Sequence, residues 1–377
     1  MLENCIQLRH HLHRHPELSG NEANTHNTIV SFLERLKPTK LFTNVGGYGI
    51  VAVFEKAGAK RTVAFRADID ALPIDERQDK PYSSDTKNVA HKCGHDGHTA
   101  ILLRFAEKIV ENPPDCNVVL IFQPEEETGK GAKKIMQTGL LQSLHIDIVF
   151  GFHNIPQQPH TMIVVRHNTF AAASAGFVAK LKGRQTHAAH PENGINPGLA
   201  VAEMIEKFDS YSRNHCKPEC FQQSTLIYTR LGEVALGTSA GDAEIIFTLR
   251  AFSNKDMAEI LHFASTTLSE IGSKYHLETS YEIQEDFPAV ENDNELTDFM
   301  TNTAIANGYE TTEPDTPFRW SEDFSQYLTE FRGVFFGIGS GLETKELHHP
   351  DYDFPDEIIE KAAEFLSLIS QRINTLH

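Results

Sequence analysis

Residues 117–127 read Asn-Val-Val-Leu-Ile-Phe-Gln-Pro-Glu-Glu-Glu, five consecutive apolar residues that give way at once to a proline and three carboxylates. A run this short and this uniformly apolar suits a strand buried on both faces, as in parallel sheets covered by helices on either side. Similar runs flank it in the chain: Gly49–Phe54 (GIVAVF), Thr62–Phe65 (TVAF), Asp147–Phe152 (DIVFGF) and Gly333–Ile338 (GVFFGI). Between them the period changes to that of a helix. Asn21–Leu36 carries Ile29, Val30, Leu33 and Leu36 behind an asparagine suited to an N-cap, and His98–Asn112 carries Ile101, Leu102, Phe105 and Ile109. A further helix is expected from Gly131 to about Leu141. Strand and helix in alternation predict an α/β domain on a mostly parallel sheet.

Working outward, the pattern changes between Phe170 and Phe287. It reads strand (Gly176–Leu181), helix (Pro197–Tyr211), strand (Gln222–Leu231), strand (Ala243–Phe252), helix (Asp256–Lys274) and strand (Leu277–Ile283). That βαββαβ order is the ferredoxin-like unit. The alternation then resumes with helices at Asn294–Asn307 and Ser321–Leu328, the strand at Gly333, and an amphipathic helix at Asp356–Ile373. The expected architecture is a discontinuous catalytic, metal-binding domain (residues 1–169 and 288–377) holding an inserted ferredoxin-like lid domain (170–287). At 377 residues, two domains also match the length.

Composition narrows the function. With 40% hydrophobic and 23% charged residues the chain is globular rather than disordered or coiled-coil. Its 34 Lys and Arg against 52 Asp and Glu give a net charge of −18, which repels nucleic-acid phosphates and anionic lipid, so neither is expected as a partner. No apolar run reaches the ~18 residues of a membrane span and the first residues resemble no signal peptide, so a cytoplasmic location is expected. Five cysteines (Cys5, Cys93, Cys116, Cys216, Cys220) argue against a disulfide framework. Cys216 and Cys220 could pair as a redox or metal site, but no second pair or nearby histidine supports it.

Ligands of parallel sheets gather beyond the carboxyl ends of the strands, and in this chain those positions are metal-competent. Arg66-Ala67-Asp68-Ile69-Asp70 follows TVAF, Glu125-Glu126-Glu127 follows NVVLIFQP, His153 follows DIVFGF, and His348-His349 follows the Gly333 strand. A separate loop, His91-Lys92-Cys93-Gly94-His95-Asp96-Gly97-His98, opens a helix. Single histidines among the 20 present mean little, and an acidic run is commonly solvated. Three glutamates directly after a buried strand, however, repel one another unless a cation compensates them. Four such pieces at equivalent strand ends predict a metal site.

The motifs HLHRHPELSGNE, AFRADIDALPI, HKCGHDGHTA, FQPEEETGKGAKKIM, GFHNIP, THAAHPENGINP, SEDFSQY and LHHPDYDFPD, spread over residues 11–356, make the sequence resemble the amidohydrolases of the M20 metallopeptidase family. The branch it is similar to is that of aminoacylases, hippurate hydrolases and IAA-amino acid hydrolases. The resemblance implies two divalent ions (Mn, Zn, Ni or Co) held by Cys93, His95, Glu127, His153 and His348. It implies Glu126 as general base and then general acid, since a carboxylate can take the proton of a water whose pKa a metal lowers from about 15.7 toward 7. It further implies Asp70 as the acid that orients a histidine ligand, and His187, in Thr186-His187-Ala188-Ala189-His190, as a lid histidine that reaches the scissile carbonyl. The HRHPEL cluster around His13 and His15 is read as packing and capping at the domain rim.

Two departures bear on substrate. Glu125 stands where many members have a small residue, so base and ligand depend on the register across the three glutamates. Residues 235–242 (ALGTSAGD) lack the Asn-Val-Ile-Pro stretch that many relatives carry beside the substrate carboxylate, and Arg250 could serve that carboxylate instead. The expected activity is hydrolysis of the amide of an N-acyl amino acid or related small N-acyl compound, with a homodimer through the lid domain as a possible assembly. The alternatives are a dipeptidase or carboxypeptidase on the same scaffold, a Cys–His hydrolase with Cys93 as nucleophile, and a non-catalytic peptide-binding relative.

Overall fold

The computed structural model describes residues 2–77, 79–217 and 220–376. These divide into two compact units, one comprising residues up to Phe170 with Glu291–Asp315 and the stretch from Asp323 onward, the other Ala171–Val290 with Thr316–Glu322.

The first unit is built on an eight-stranded sheet in the order Lys40–Val45, Gly49–Phe54, Asn117–Gln123, Thr62–Asp68, Ile148–Ile155, Arg332–Gly339, Ile163–Val164, Thr311–Thr312. The four strands from Asn117–Gln123 to Arg332–Gly339 are mutually parallel, and antiparallel pairs occur toward both edges. Their side chains are buried along nearly the whole length, which explains why the strands read as continuous apolar runs. Phe65 stacks on Phe150 and meets Phe105 of the helix His95–Glu111 edge-on, each ring fully buried. Burying such a ring contributes about 1.5–3 kcal/mol. The register sets Asp68 opposite Gln123, so the polar ends of two neighbouring strands are level with each other.

Several boundaries differ from the expected ones, and each difference moves a chemical residue. The Thr62 strand runs on to Asp68 and the Ile148 strand to Ile155, so Arg66, Asp68 and His153 lie within strands rather than after them. The helix expected from His98 begins at His95, because Gly94 adopts φ +94° and turns the chain. A Cβ there would lie 2.4 Å from Asn154 Oδ1 and 2.9 Å from the Tyr352 hydroxyl, so glycine is required. Asn21 does not cap the second helix, Ala23–Leu36. The Glu17 carboxylate does so instead, accepting from the N–H groups of Asn24 (3.1 Å) and Thr25 (2.8 Å). The helix after Gly131 breaks at Gly139, φ +70°, into Gly131–Gln137 and Leu140–Ser143. The helix expected at Ser321–Leu328 shrinks to Ser325–Leu328. The histidine-rich opening, unassigned from sequence, is the helix Leu2–Arg14.

The second unit has a five-stranded antiparallel sheet in the order Cys216–Lys217, Cys220–Leu231, Asp242–Ala251, Ala173–Lys182, Glu278–Phe287, with the helices Gly198–His215 and Asn254–Tyr275. Setting aside the two-residue strand, this is the ferredoxin-like arrangement of a βαββαβ chain. Residues 316–322 join this unit although they lie outside the expected insert, because Ala172 N–H donates to Phe318 O (2.9 Å) and Arg250 donates to Arg319 O (2.8 Å). Cys216 is an exposed free thiol; the side chain of Cys220 lies outside the described residues. Among the described residues, no helix is long and apolar enough to cross a membrane.

Candidate metal centre

Arg66, Asp68 and Asp70 recur at every second position of one extended stretch and so emerge on one face. Arg66 is fully buried and donates to Gln123 Oε1 (2.9 Å), Asp68 Oδ2 (2.7 Å) and Asp323 Oδ1 (2.8 Å). Asp323 also accepts from Gln123 Nε2 and from Ala132 N–H, which clamps both ends of the glutamate segment.

His95 and His98, three residues apart on one helix face, meet this row of acids. His95 Nδ1 lies 3.2 Å from Asp70 Oδ1, and His98 Nδ1 lies 2.5 Å from Asp68 Oδ1. Asp70 Oδ2 in turn accepts from Ser19 Oγ (2.6 Å) and Glu127 N–H (3.1 Å). This leaves His95 Nε2 facing Glu127 Oε1 at 3.8 Å, both buried and neither with a hydrogen-bond partner. Ligand atoms of Cys93, His95 and Glu127 all lie within 4.8 Å of one another. Cys93 Sγ lies 3.4 Å from His153 Nε2, whose Nδ1 meets Asn154 O at 2.9 Å. His348 Nε2 lies 3.7 Å from Glu127 Oε1, and the backbone N–H of His348 donates to Lys92 O (2.7 Å), which fixes it beside the metal loop.

The electrostatics are those of a pocket with too much negative charge. Burial, with the charges of Glu127, Glu126 and Asp68 added, pushes the Cys93 thiol well above its usual range. Burial likewise raises the Glu127 carboxyl to about 7. Burial opposes a charged His95, but Asp68, Asp70 and Glu127 outweigh it and raise this imidazole to about 10. His153 is held well below the usual range by burial and the neighbouring His98. A thiol, imidazoles and a carboxylate with inward-facing atoms left unpartnered suit a borderline divalent cation, whose charge would favour every deprotonated donor.

Within the run of glutamates, Glu125 turns away from this cluster: its backbone is left-handed (φ +55°) and its carboxylate pairs with Lys134 at 2.5 Å. Glu126 is buried on the tight turn Glu126–Thr128 that also carries Glu127. His187 belongs to the other unit, exposed in the short strand Thr186–His187 that pairs with Thr238–Ser239, its Nδ1 accepting from Ala189 N–H (3.0 Å). The HRHPEL stretch does pack and cap, Glu17 capping the second helix, but His13 lies inside rather than at a rim: it is buried between Asp96 and Glu76, whereas Arg14 and His15 are exposed, the His15 ring bonding His11 O.

Sequence reasoning placed Arg66, Asp68 and His98 in metal-competent stretches but gave none of them a role, although the alternation of Arg66, Asp68 and Asp70, and the helical spacing of His95 and His98, were signals that could have supplied one.

A model of peptidase family M20/M25/M40 matches residues 64–372. The chain belongs to this family. As an M20 chain it is 32% identical over 376 residues to a Bacillus subtilis protein named amidohydrolase YhaA, covering 97% of this chain and 93% of that one. It is 30% identical over 375 residues to the N-acetyl-L-cysteine deacetylase of B. subtilis, covering 98% and 88%. The B. subtilis YXEP protein, a dinuclear metal binding peptidase from the M20 family, superposes with a TM-score of 0.86 at 25% identity over 100% and 99% of the two chains. The protein is thus an M20-family hydrolase of amidohydrolase type with a metal-binding cluster.

Proposed function

We propose that this M20 hydrolase cleaves the amide of N-acyl amino acids or related small N-acyl compounds, releasing a carboxylate and an amine, with two divalent ions at Cys93, His95, Glu127, His153 and His348. The observation that carries the reading is the pair of buried, unpartnered atoms His95 Nε2 and Glu127 Oε1, 3.8 Å apart beside Cys93. When bound, the ions would polarise the amide carbonyl and acidify water. Glu126 would take the proton of the attacking water and return it to the leaving nitrogen. Asp70, on His95 Nδ1, would fix the tautomer that leaves Nε2 free to coordinate.

The names of two relatives, an amidohydrolase and an N-acetyl-L-cysteine deacetylase, support an N-acyl amino acid as the substrate class. Arg250 supports a carboxylate on that substrate. Burial alone lowers its pKa, and it donates to the neutral Arg319 O and Ser321 Oγ. Among the described residues no carboxylate forms an ion pair with it, so a substrate carboxylate would supply the missing charge. His187 would donate to the developing oxyanion. A Cys93 nucleophile is disfavoured because, without a cation, burial holds its thiol protonated and leaves His153 neutral at its side.

The test is removal and return of metal with a substrate panel. EDTA should abolish hydrolysis, and one of Mn, Zn, Ni or Co should restore it on N-acetyl, N-benzoyl or long-chain N-acyl amino acids in preference to dipeptides. Full activity in a metal-free sample overturns the metal role, and a preference for dipeptides overturns the substrate class.

A further inference from the structure

Asp68 carries a carboxylate 3.7 Å from His95 Nε2, as near to that nitrogen as Glu127 is. With His95, His98 and His153 it forms a buried group whose ligand-capable atoms all lie within 4.8 Å of one another. Distance therefore does not keep Asp68 out of the coordination sphere. Its hydrogen bonds do: Oδ1 is held by His98 Nδ1 at 2.5 Å and Oδ2 by Arg66 at 2.7 Å. The His98 ring is itself fixed from the far side, where Nε2 meets the Asn154 side chain at 2.5 Å and the Asn154 backbone N–H at 3.1 Å. The Asn154 amide continues to the Tyr352 hydroxyl at 2.7 Å. Asp68, His98, Asn154 and Tyr352 are all at most 1% exposed, so no water competes for these bonds.

An ionised Asp68 accepts only, so His98 Nδ1 must carry the hydrogen toward it. The nitrogen that a metal could use, Nε2, is engaged by Asn154. His98 thus coordinates nothing while anchoring Oδ1, the outer oxygen of a carboxylate whose other oxygen, Oδ2, faces His95 Nε2. This matters for metal choice, because thiolate and imidazole donors suit Zn, Co or Ni, whereas each added carboxylate oxygen moves a site toward harder ions such as Mn.

Resting on the proposed ligand set, we infer that His98 is a positioning residue that sets metal selectivity, by holding Asp68 away from the ion and keeping a hard oxygen donor out of the site. The Asp68 oxygen that already faces His95 Nε2, at 3.7 Å, is Oδ2, which Arg66 holds; released from His98 at Oδ1, the carboxylate can swing on that one remaining bond and advance an oxygen toward the ion beside His95 Nε2. The site then becomes richer in oxygen, and its preference for Zn over Mn falls.

The experiment compares two isosteric partial replacements. The amide nitrogen of asparagine reproduces the position of His Nδ1, and that of glutamine the position of His Nε2. His98→Asn keeps the bond to Asp68; His98→Gln keeps the bond to Asn154 and frees Asp68. Each purified full-length protein is stripped, equilibrated with Zn and Mn in competition and analysed by metal mass spectrometry, with thermal unfolding of the apo form as the control for folding. The Zn:Mn occupancy ratio should fall at least about tenfold in His98→Gln and stay within about threefold of the parent in His98→Asn, the scale on which groups behind the ligands act. An unchanged ratio in folded His98→Gln, or an equal fall in both variants, overturns the inference. If His98→Gln does not fold, Asp68→Asn decides: an unliganded Asp68 predicts Zn and Mn affinities within about threefold of the parent, and a fall of about tenfold or more in either overturns it. Cys93→Ala separates the two proposals. Loss of stoichiometric binding there supports the ligand set whatever the selectivity result, and retention of two ions overturns the ligand set itself.

Discussion

The segment His91–His98 borders two buried polar clusters of opposite character. On one side, Cys93 and His95 face Asp68, Asp70, Glu126 and Glu127, with Arg66 already divided between Asp68 and Asp323. On the other, Lys92 and Asp96 enter a network in which four cations, Arg9, His13, Lys80 and Lys92, are interleaved with four carboxylates, Glu76, Asp96, Asp353 and Asp356. The second cluster balances its charge within the protein; the first does not, and leaves His95 Nε2 and Glu127 Oε1 without partners. Ionisable groups crowd together in both, although Lys80 and Asp356 at the edge of the second are partly exposed. Buried atoms without a hydrogen-bond partner occur in both, Arg9 Nη2 and Asp96 Oδ1 in the second; what marks the functional one is uncompensated negative charge, with the unpartnered atoms being metal-ligand types that face one another.

Substitutions in the two clusters should therefore fail in different ways. Glu126→Gln preserves shape but cannot accept a proton, so it should lower kcat by about 10²–10⁴ with metal content and stability unchanged. Steady-state kinetics with metal analysis decides this, and Glu127→Gln should instead weaken metal binding; reversed phenotypes would show that base and ligand are exchanged. Arg9→Met, in the balanced network, strands buried carboxylates and should cost about 3–5 kcal/mol of stability by denaturant unfolding. If Arg9→Met proves neutral, the network is not the structural counterpart drawn above. His187→Ala should lower kcat by about 10²–10³, the worth of one oxyanion donor, without changing metal occupancy or unfolding; a near-normal kcat leaves His187 an ordinary loop residue.

The smallest effect is a pH dependence confined to the balanced cluster. His13 is raised to about 9 because Asp96 and Glu76 outweigh its burial. A pKa raised in the folded state means that protonation favours folding, so this stabilisation is complete below an unfolded pKa near 6.5 and is lost as pH rises through 9. Removal of the imidazole, as in His13→Gln, should lower stability at pH 6 and flatten the decline between pH 7 and 9, an effect of at most on the order of 3 kcal/mol. An alkaline decline as steep in the variant as in the parent would assign it to other groups.

Much of the fold was legible because the central strands of the first unit are buried on both faces and most helices bury one apolar face, and both patterns are local. The Gly49–Phe54 strand was read to the residue, and the βαββαβ order of the second unit survives with shifts of a few residues at its ends. Errors collected where polar residues continue a strand. Arg66, Asp68 and His153 were placed after strands because charge usually ends an apolar run, yet here buried partners let the strand continue through them. His13 was misjudged for the same reason, since the carboxylates that bury it are 63 and 83 residues away.

The sequence by itself determined the family, the alternation of elements and the residue types available for metal chemistry, because motifs and periodicity are written in neighbouring residues. Tertiary structure alone decided which of those groups are free. Glu125 and Glu127 are two residues apart and chemically identical, yet one is closed off by Lys134 while the other faces His95 with an unpartnered oxygen. His95 and His98 differ in the same way, one with an open ring nitrogen and the other with both nitrogens occupied. Whether a donor can bind an ion depends on what else has already claimed its lone pairs, and those claims come from Asp68, Asn154 and Lys134, which the fold brings in from other segments of the chain.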